Sequence, residues 1–205
     1  MSPADTTSRK PRDRILDAAR ELFRKHGIRG VGVDAIAGAA DSNKMTLYRH
    51  FGSKDDLIVA CLRAATREWE AFWEGIEARN PDDAAAQLDD WIDRVAEGIK
   101  SGGDCNCEIL SAAFQLMPDD GSALEVVNEF ETRLHGRLAR ICRAAGIDDY
   151  DLLTTTLVLL IEGARSNRQS MGPEGLSAQL AAAARATVML FMQKRPAKTR
   201  KLPIT

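Results

Sequence analysis

The sequence predicts an all-α protein, with three short helices at the N-terminus followed by a larger helical bundle. Apolar residues recur at helical spacing along most of the 205 residues, whereas the alternating pattern of a β-strand is weak throughout. Hydrophobic residues make up 44% of the chain and aromatic residues only 5%, and a composition this rich in alanine favours helices.

The charges are divided unevenly between two parts of the chain. Residues 1–54 contain 11 Lys and Arg against 6 Asp and Glu, a net charge of +5. The remaining residues contain 17 against 24, a net charge of −7, so that the whole chain carries −2. A basic first quarter on an acidic body indicates that the first quarter meets a polyanion.

Composition also narrows the class of protein. We find no apolar run of the ~18 residues that a membrane span needs. The N-terminal stretch "MSPADTTSRKPR" lacks the apolar segment of a secretory signal. Four Cys in 205 residues do not make a disulfide framework. We therefore expect a soluble cytoplasmic protein with no membrane partner.

The first 51 residues have the pattern of three short helices after a polar arm. One helix begins at Arg12 and is stopped by Gly27, and the stretch "GIRGVG" reads as a loop. A second helix follows, and "DSN" then forms a tight turn in which Asp and Asn tolerate left-handed backbone. Asn43 is placed to cap the third helix, "KMTLYRHF", through its side-chain oxygen.

The third helix has a narrow apolar anchor, Leu47 and Phe51, and an otherwise polar, basic and aromatic surface. A helix this short is not stable alone. Two short helices joined by a three- to four-residue turn, the second with outward polar groups, form the helix-turn-helix pattern that inserts its second helix into the DNA major groove. Thr46 can then contact a base, and Tyr48 and His50 can reach phosphates.

The basic residues around this helix extend the predicted DNA contact. Lys54 at the next helix start can neutralise backbone charge, as can the arm residues Arg9, Lys10 and Arg12. A solvated tail is an equally open interpretation of the three arm residues.

The rest of the chain reads as further helices. They lie at about 55–79, around 88–99, and at about 105–117, 122–145, 148–170 and up to 195. The β-branched run "LLTTTLVLLI" sits inside a helical frame, and we predict that it is buried helix. The boundaries that follow are 1–11 for a disordered basic arm, 12–54 for the helix-turn-helix domain, 55–195 for the body and 196–205 for a disordered tail.

Three stretches resemble the N-terminal domain of TetR-family transcriptional regulators: "ILDAARELFRKHG", "VDAIAGAA" and "KMTLYRHFGSKDDL". Their order, their spacing and the signature "TLYRHFGSK" fit over about residues 12 to 58. The resemblance implies about nine helices, a homodimer, and a body, residues 55–195, that binds a small molecule and dimerises. It also implies a regulator, expected to be a repressor, whose ligand releases it from a near-palindromic operator.

The resemblance also assigns roles to residues of the third helix. Base contacts fall to Asn43, Lys44, Met45 and Thr46, and phosphate contacts to Tyr48, His50 and Lys54. The chain departs from the family pattern at the turn, where Asp41 and Ser42 replace Gly and a small apolar residue, and at Met45, which replaces a common Gly. Val31 and Gly32 replace the usual hydroxyl residue at the second helix start.

The body offers candidates for a ligand pocket and for a dimer interface. Pockets between helices are lined by large apolar groups with a few polar ones. The candidates are Trp69, Trp73, Trp91, Phe114, Met117, Phe130, Glu162 and Arg165. Core packing is the other interpretation of the apolar ones. The last two long helices are rich in small residues, and the resemblance favours them as a dimeric four-helix interface over internal packing.

A thiol- or metal-dependent helical enzyme, or a redox sensor, is the alternative function. It would use Cys105 and Cys107, whose Cys-x-Cys spacing supplies two ligands, but no other Cys or His has matching spacing. The stretch "GVGVDA" matches a dinucleotide fingerprint but follows a helix instead of a strand, so we treat it as chance. We expect no enzyme activity, no cofactor and no metal.

Overall fold

The computed structural model describes residues 9–102 and 105–193, with every side chain in these ranges except those of residues 105–107 and 169. The described residues form nine helices and no strand, which confirms the predicted all-α fold. In chain order the helices are α1 Pro11–Gly30, α2 Val33–Ala39, α3 Lys44–Phe51, α4 Lys54–Arg79, α5 Ala84–Ser101, α6 Cys105–Ala113, α7 Gly121–Ala144, α8 Tyr150–Met171 and α9 Pro173–Gln193.

Helix α1 breaks where the sequence predicts, but it does not end there. Pro11 occupies the first helical turn, where its missing N–H is not needed. Gly27 has φ 73° and ψ 161°, a conformation outside the helical region that essentially only glycine adopts. One further helical turn follows as far as Gly30, so the predicted loop after His26 is wrong for these residues. Ile28 in that turn is buried, which holds the extra turn against the domain.

Helices α1, α2 and α3 each contact the other two. Their shared core contains Ile15 and Ala19 from α1, Ile36 from α2 and Leu47 from α3, all with no exposed surface. Burying each of the Ile and Leu side chains contributes about 1.5–3 kcal/mol to stability. The predicted apolar stripes therefore form one three-helix core.

The chain divides into two compact units, which differ from the domains drawn from the sequence. The first unit comprises Met1–Phe72 and Cys105–Glu131, so α6 and the first part of α7 belong with the N-terminal helices. Helix α6 ends at Ala113 and not near residue 117. Pro118 disfavours a helical conformation at the residue before it, and the Met117 N–H is instead donated to Asp120 Oδ2 at 2.6 Å.

The second unit comprises Trp73–Asp104 and Thr132–Thr205. Helix α9 packs against both α5 and α8, and Ser177 Oγ donates to the Ala96 carbonyl at 2.7 Å. Arg168 of α8 donates through Nε to the Ile99 carbonyl at 2.6 Å, which satisfies one of the last carbonyls of α5. Glycine is favoured at position 102 beside it, because the φ there is 78° and a Cβ would also meet the Arg168 guanidinium.

The apolar surface of α8 corrects the prediction that its β-branched run is a fully buried helix. The run "LLTTTLVLLI" is helical, but only one face is buried, because Leu152 and Leu159 are 56% and 68% exposed. Among the described residues, α9 is also long and apolar enough, by length and composition alone, to cross a membrane, and 28% of its most apolar window is buried. Both helices therefore present apolar surface that the described residues 9–102 and 105–193 leave exposed.

Candidate DNA-binding interface

Helix α3 is held by the anchor that the sequence predicts. Leu47 has no exposed surface and Phe51 has 8%. Asn43 caps the helix, since its Oδ1 accepts a hydrogen bond from the Thr46 N–H at 2.9 Å. Gly52 ends the helix at φ 80°, and its N–H is donated to the Tyr48 carbonyl at 2.8 Å. The remaining surface of α3 is thus available to a partner.

The exposed residues of α3 are Lys44, Met45, Tyr48 and Arg49. Met45 is 84% exposed and Tyr48 is 45% exposed, while Thr46 is half-buried. Arg49 is exposed, one turn after Met45, although the sequence reasoning did not select it. Its basic charge and its four-residue spacing from Met45 were the signal that could have found it.

Two basic residues near the ends of α3, Lys44 and Lys54, already have partners within the chain. Lys44 Nζ lies 2.8 Å from Asp34 Oδ2, at the start of α2, and both side chains are more than half exposed. Hydrogen bonding with Asp34, followed by its charge, raises the pKa of Lys44. Lys54 Nζ donates to the Ile28 carbonyl at 2.9 Å, so its ammonium is held at the last turn of α1.

His50 is half-buried on α3. Its Nε2 has no hydrogen-bond partner among the described residues, although it has almost no contact with solvent. A group brought to the helix would reach this nitrogen only if the atoms that cover it moved aside. This leaves the predicted phosphate role of His50 open.

The three basic residues before and within the start of α1 differ in their surroundings. Arg9 Nη1 pairs with Asp17 Oδ2 at 2.7 Å, and Lys10 is the N-cap of α1 without a side-chain cap bond. The Arg12 guanidinium lies 5.0 Å from the centroid of the Phe51 ring. Arg12 therefore packs on the end of α3, a contact that the sequence did not reveal.

The eight predicted ligand residues divide evenly between the two units. In the first unit, Trp69 and Phe130 pack edge to face with ring centroids 5.2 Å apart. In the second unit, Trp73 and Trp91 stack at 6.1 Å. All four are at most 1% exposed, the environment of core residues. Their ligand role stays a prediction.

The other four predicted ligand residues lie at different kinds of position. Phe114 and Met117 follow the end of α6 and are 83% and 56% exposed. Glu162 Oε1 lies 2.5 Å from Arg165 Nη1, so these two residues form an ion pair within one turn of α8. The ligand role of these four residues likewise stays a prediction.

The first unit contains a cavity of about 50 Å³ between α1, α4 and α6. Its apolar wall includes Phe23, Ile58 and Leu62, and none of the eight predicted ligand residues lines it. It is small beside the ~300–1,000 Å³ of typical ligand pockets.

An ion cluster lies beside this cavity. The Arg20 guanidinium donates to both carboxylate oxygens of Glu68 and to both of Glu108, at distances of 2.5 to 3.2 Å. The bonds from Arg20 lower the pKa of Glu68. The cluster joins α1, α4 and α6 through charge-assisted hydrogen bonds, which are stronger than neutral ones.

The thiols that the structure describes are packed groups. Cys61 and Cys142 are both buried and unpaired. Burial raises the pKa of Cys61 to about 12 and also raises that of Cys142, so neither is a reactive thiolate at neutral pH. The side chains of Cys105 and Cys107, on which the alternative function rests, lie outside the described residues.

Comparison with known proteins agrees with the geometry of α1 to α3. The family model described as bacterial regulatory proteins of the tetR family matches residues 15–61. Among curated relatives, the regulator TcmR of Streptomyces glaucescens is 30% identical over 146 residues, which cover 68% of this chain and 62% of TcmR. The regulator QacR of Staphylococcus aureus is 33% identical over 63 residues, covering 31% of this chain and 34% of QacR.

These matches span less than two thirds of the length of each of the two relatives. Solved structures extend the similarity over the whole fold. The TetR-family regulator SCO4454 of Streptomyces coelicolor is 25% identical with a TM-score of 0.79, covering 89% of this chain and 96% of that one. The chain belongs to the TetR family of helix-turn-helix transcriptional regulators.

Proposed function

We propose that this protein is a homodimeric, sequence-specific DNA-binding repressor that a small molecule releases from a near-palindromic operator. In this proposal α3 enters the major groove, with Asn43, Lys44, Met45 and Thr46 at base edges. Tyr48, His50 and Lys54 contact phosphates, together with Arg9, Lys10 and Arg12 of the arm and α1. The protein acts in the cytoplasm, where its DNA lies.

The observation that carries the proposal is the one-sided burial of α3. Only Leu47 and Phe51 face the core, whereas Lys44, Met45, Tyr48 and Arg49 are exposed. Met45 in particular exposes 84% of its surface. An apolar side chain held outward on a short, well-capped helix contacts water in the isolated chain and can contact a thymine methyl group in a major groove.

The uncovered apolar surfaces of α8 and α9 support the dimer. Leu159 on α8 and Leu190 on α9 are 68% and 58% exposed, and Ala182, Ala183 and Ala186 lie exposed along α9. Small residues allow a second pair of helices to approach closely, and a two-fold axis would then form a four-helix interface. Two recognition helices related by that axis require two half-sites.

Release by a small molecule is the finer part of the proposal. A ligand shifts the protein away from DNA only if it binds better to the state that cannot span two half-sites. We place its site in the body, residues 55–195, with the aromatic and polar residues named above as candidates. Trp73 and Trp91 are stacked in the second unit, so their fluorescence provides a direct readout for screening compounds.

The proposal is tested by fluorescence anisotropy with the DNA that flanks the coding region, against a scrambled duplex of the same composition. Each duplex is titrated at two salt concentrations. We expect tighter binding to the flanking DNA, with a preference that survives at the higher salt, because base contacts lose less affinity to salt than phosphate contacts. If the flanking DNA is not preferred, duplexes are selected from a random library for binding. If none of them binds better than the scrambled duplex, the protein does not read sequence.

A pair of variants assigns the binding to α3. Tyr48→Phe with Lys44→Gln removes a hydroxyl and a charge from the exposed face, and both positions are free of core packing. We expect weaker binding and a shallower salt dependence. Lys100→Gln is the matched control, since it removes one exposed lysine charge from the second unit. If Lys100→Gln weakens DNA binding as much as the α3 double variant does, the DNA contact is not on α3.

A further inference from the structure

In the turn between α2 and α3, two backbone N–H groups donate hydrogen bonds back to carbonyls of the last turn of α2. The Ser42 N–H is donated to the Ala37 carbonyl at 2.9 Å and the Asp41 N–H to the Gly38 carbonyl at 3.2 Å. This is the Schellman arrangement, in which the residue after the C-cap is left-handed and is usually glycine. Here that residue is Asp41, at φ 46°.

A left-handed backbone at Asp41 is less favourable than at glycine. Asp tolerates the conformation better than most residues, but its Cβ still crowds the backbone there. The turn sets where α3 begins, because Asn43 caps α3 only two residues later. The chain therefore relies on other contacts to hold this turn in one conformation.

Arg14 supplies those contacts from the first turns of α1. Its Nε donates to the Ala40 carbonyl at 3.1 Å, and its Nη2 donates to the Asp41 carbonyl at 3.0 Å. Both acceptors directly follow α2, beside the helix end where carbonyls lack helical partners and a positive charge is favoured. The planar guanidinium can donate to both at once, which a lysine ammonium cannot match in geometry.

The other end of α3 is in contact with the same segment of α1. Arg12, two residues before Arg14, lies over the ring of Phe51, the last residue of α3. The start of α1 thus contacts the turn before the helix and the residue that ends it. Only Leu47 and Phe51 anchor α3 in the core, so these flanking contacts restrict the remaining freedom of the helix to rotate or shift.

We propose that Arg14 is a positioning residue for DNA reading, which holds the left-handed Asp41 turn and thereby fixes the orientation of α3. Arg14 does so without touching DNA. This inference rests on the proposed function, since it names the residue that makes the reading geometry. It further implies that Arg14 and Asp41 are coupled, because a glycine at position 41 would adopt the turn unaided.

Three variants test the coupling: Arg14→Lys, Asp41→Gly and the two combined. Arg14→Lys keeps the charge and loses one of two hydrogen bonds, so we expect specific affinity to fall about tenfold while affinity for a scrambled duplex and the salt slope stay unchanged. Asp41→Gly in the same chain should restore most of the loss. Arg24→Lys is the matched control on α1, since the partner of Arg24 among the described residues is Glu21, one turn away.

The outcomes separate positioning from a direct phosphate contact and from general destabilisation. A phosphate contact by Arg14 would tolerate lysine and would not be rescued at position 41, which would overturn the proposal. General destabilisation would lower the melting temperature but leave the ratio of specific to scrambled affinity unchanged well below that temperature, and this too would overturn it. The proposal is supported if Arg14→Lys lowers the ratio of specific to scrambled affinity and Asp41→Gly restores it.

Amide hydrogen exchange separates this inference from the proposed function. Arg14→Lys should speed exchange of the Asp41 and Ser42 amides, and Asp41→Gly should slow it again, with no DNA present. Unchanged exchange at both amides would show that Arg14 does not hold the turn, whatever the protein binds. If exchange responds but the wild-type protein reads no sequence, the proposed function fails and the claim about DNA reading fails with it, while the role in the turn stands.

Discussion

Gln115 Oε1 accepts a hydrogen bond from the backbone N–H of Ile28 at 2.8 Å. Ile28 follows the break at Gly27 and begins a new helical turn. The first N–H groups of a helical segment have no carbonyl partner within it, so the Ile28 N–H needs another acceptor. The residue that satisfies it lies 87 positions away in the chain, just after α6. Arg29 reinforces the contact, since its Nε donates to the Gln115 carbonyl at 2.9 Å. The break in α1 and the end of α6 are therefore one structural feature.

Replacing Gly27 by alanine should destabilise the protein. The conformation at φ 73° and ψ 161° costs a non-glycine residue about 1–3 kcal/mol. The added Cβ would also lie 2.5 Å from Gln115 Oε1, which would have to move away from Ile28. Urea unfolding measures the loss. Gly30→Ala is the control, because its Cβ meets nothing closer than 4.0 Å. Equal stability of the two variants would contradict the strained geometry at Gly27.

The Arg20 cluster predicts a specific dependence of stability on pH. Hydrogen bonds from Arg20 lower the pKa of Glu68 below its ordinary 4.5 in the folded protein. The resulting stabilisation is present above the unfolded pKa and is lost as the pH falls through the lowered folded pKa. Between pH 7 and 3, the unfolding free energy of the wild type should therefore fall more steeply than that of Glu68→Gln.

The difference in unfolding free energy between the wild type and Glu68→Gln should be constant above about pH 5 and should shrink below it. Glu74→Gln is the control, since Glu74 is exposed on the same helix. If the unfolding free energies of the wild type and Glu68→Gln stay parallel throughout this range, the ion pair contributes nothing to acid stability. Many half-exposed ion pairs make no measurable contribution.

Most of α3 and its turn could be predicted from the sequence because their determinants are local. Asn43 stands three residues before Thr46, which is the spacing of a helix cap, and the structure forms that bond. Asp41 was expected to accept left-handed backbone and does so. The apolar pair Leu47 and Phe51 is four residues apart, as a helix face requires, and both residues are buried.

What could not be predicted depends on contacts between distant parts of the chain. Arg14 reads locally as one more basic residue of an amphipathic helix, and its acceptors lie 26 and 27 positions away. Phe114 reads as core or pocket, yet it is 83% exposed because α6 ends before it. Leu159 sits in an unbroken apolar run, and no local pattern distinguishes a surface kept for a partner from an internal face.

The buried thiols should resist modification in the folded protein. In a variant with Cys105→Ser and Cys107→Ser, only Cys61 and Cys142 remain, and burial raises the pKa of both. A disulfide reagent at pH 8 should therefore label almost nothing until denaturant is added, after which two thiols per chain should react. Rapid labelling before unfolding would show that one of these sites opens, and would restore interest in a thiol-based function.

The exposed leucines of α8 and α9 should hold the dimer together. Leu159→Glu with Leu190→Glu places two charges on the surface that we assign to the interface, where they would lose hydration. We expect a dimer in the wild type and a monomer in this variant at micromolar concentration, measured by sedimentation velocity. Phe114→Glu is the control, as an equally drastic change of an exposed apolar residue in the first unit. A dimer that survives the double change uses another surface.

Asp34 should limit the affinity of the protein for any DNA. It pairs with Lys44 at 2.8 Å on the surface that we assign to the interface, and there it offsets a positive charge. Asp34→Asn leaves Lys44 available to a phosphate, so affinity for a scrambled duplex should rise and the plot of log K against log salt should steepen by about 0.9. The double variant with Lys44→Gln should lose the gain. If the gain persists without Lys44, the removed carboxylate acts by repelling DNA directly, and the ion pair plays no part.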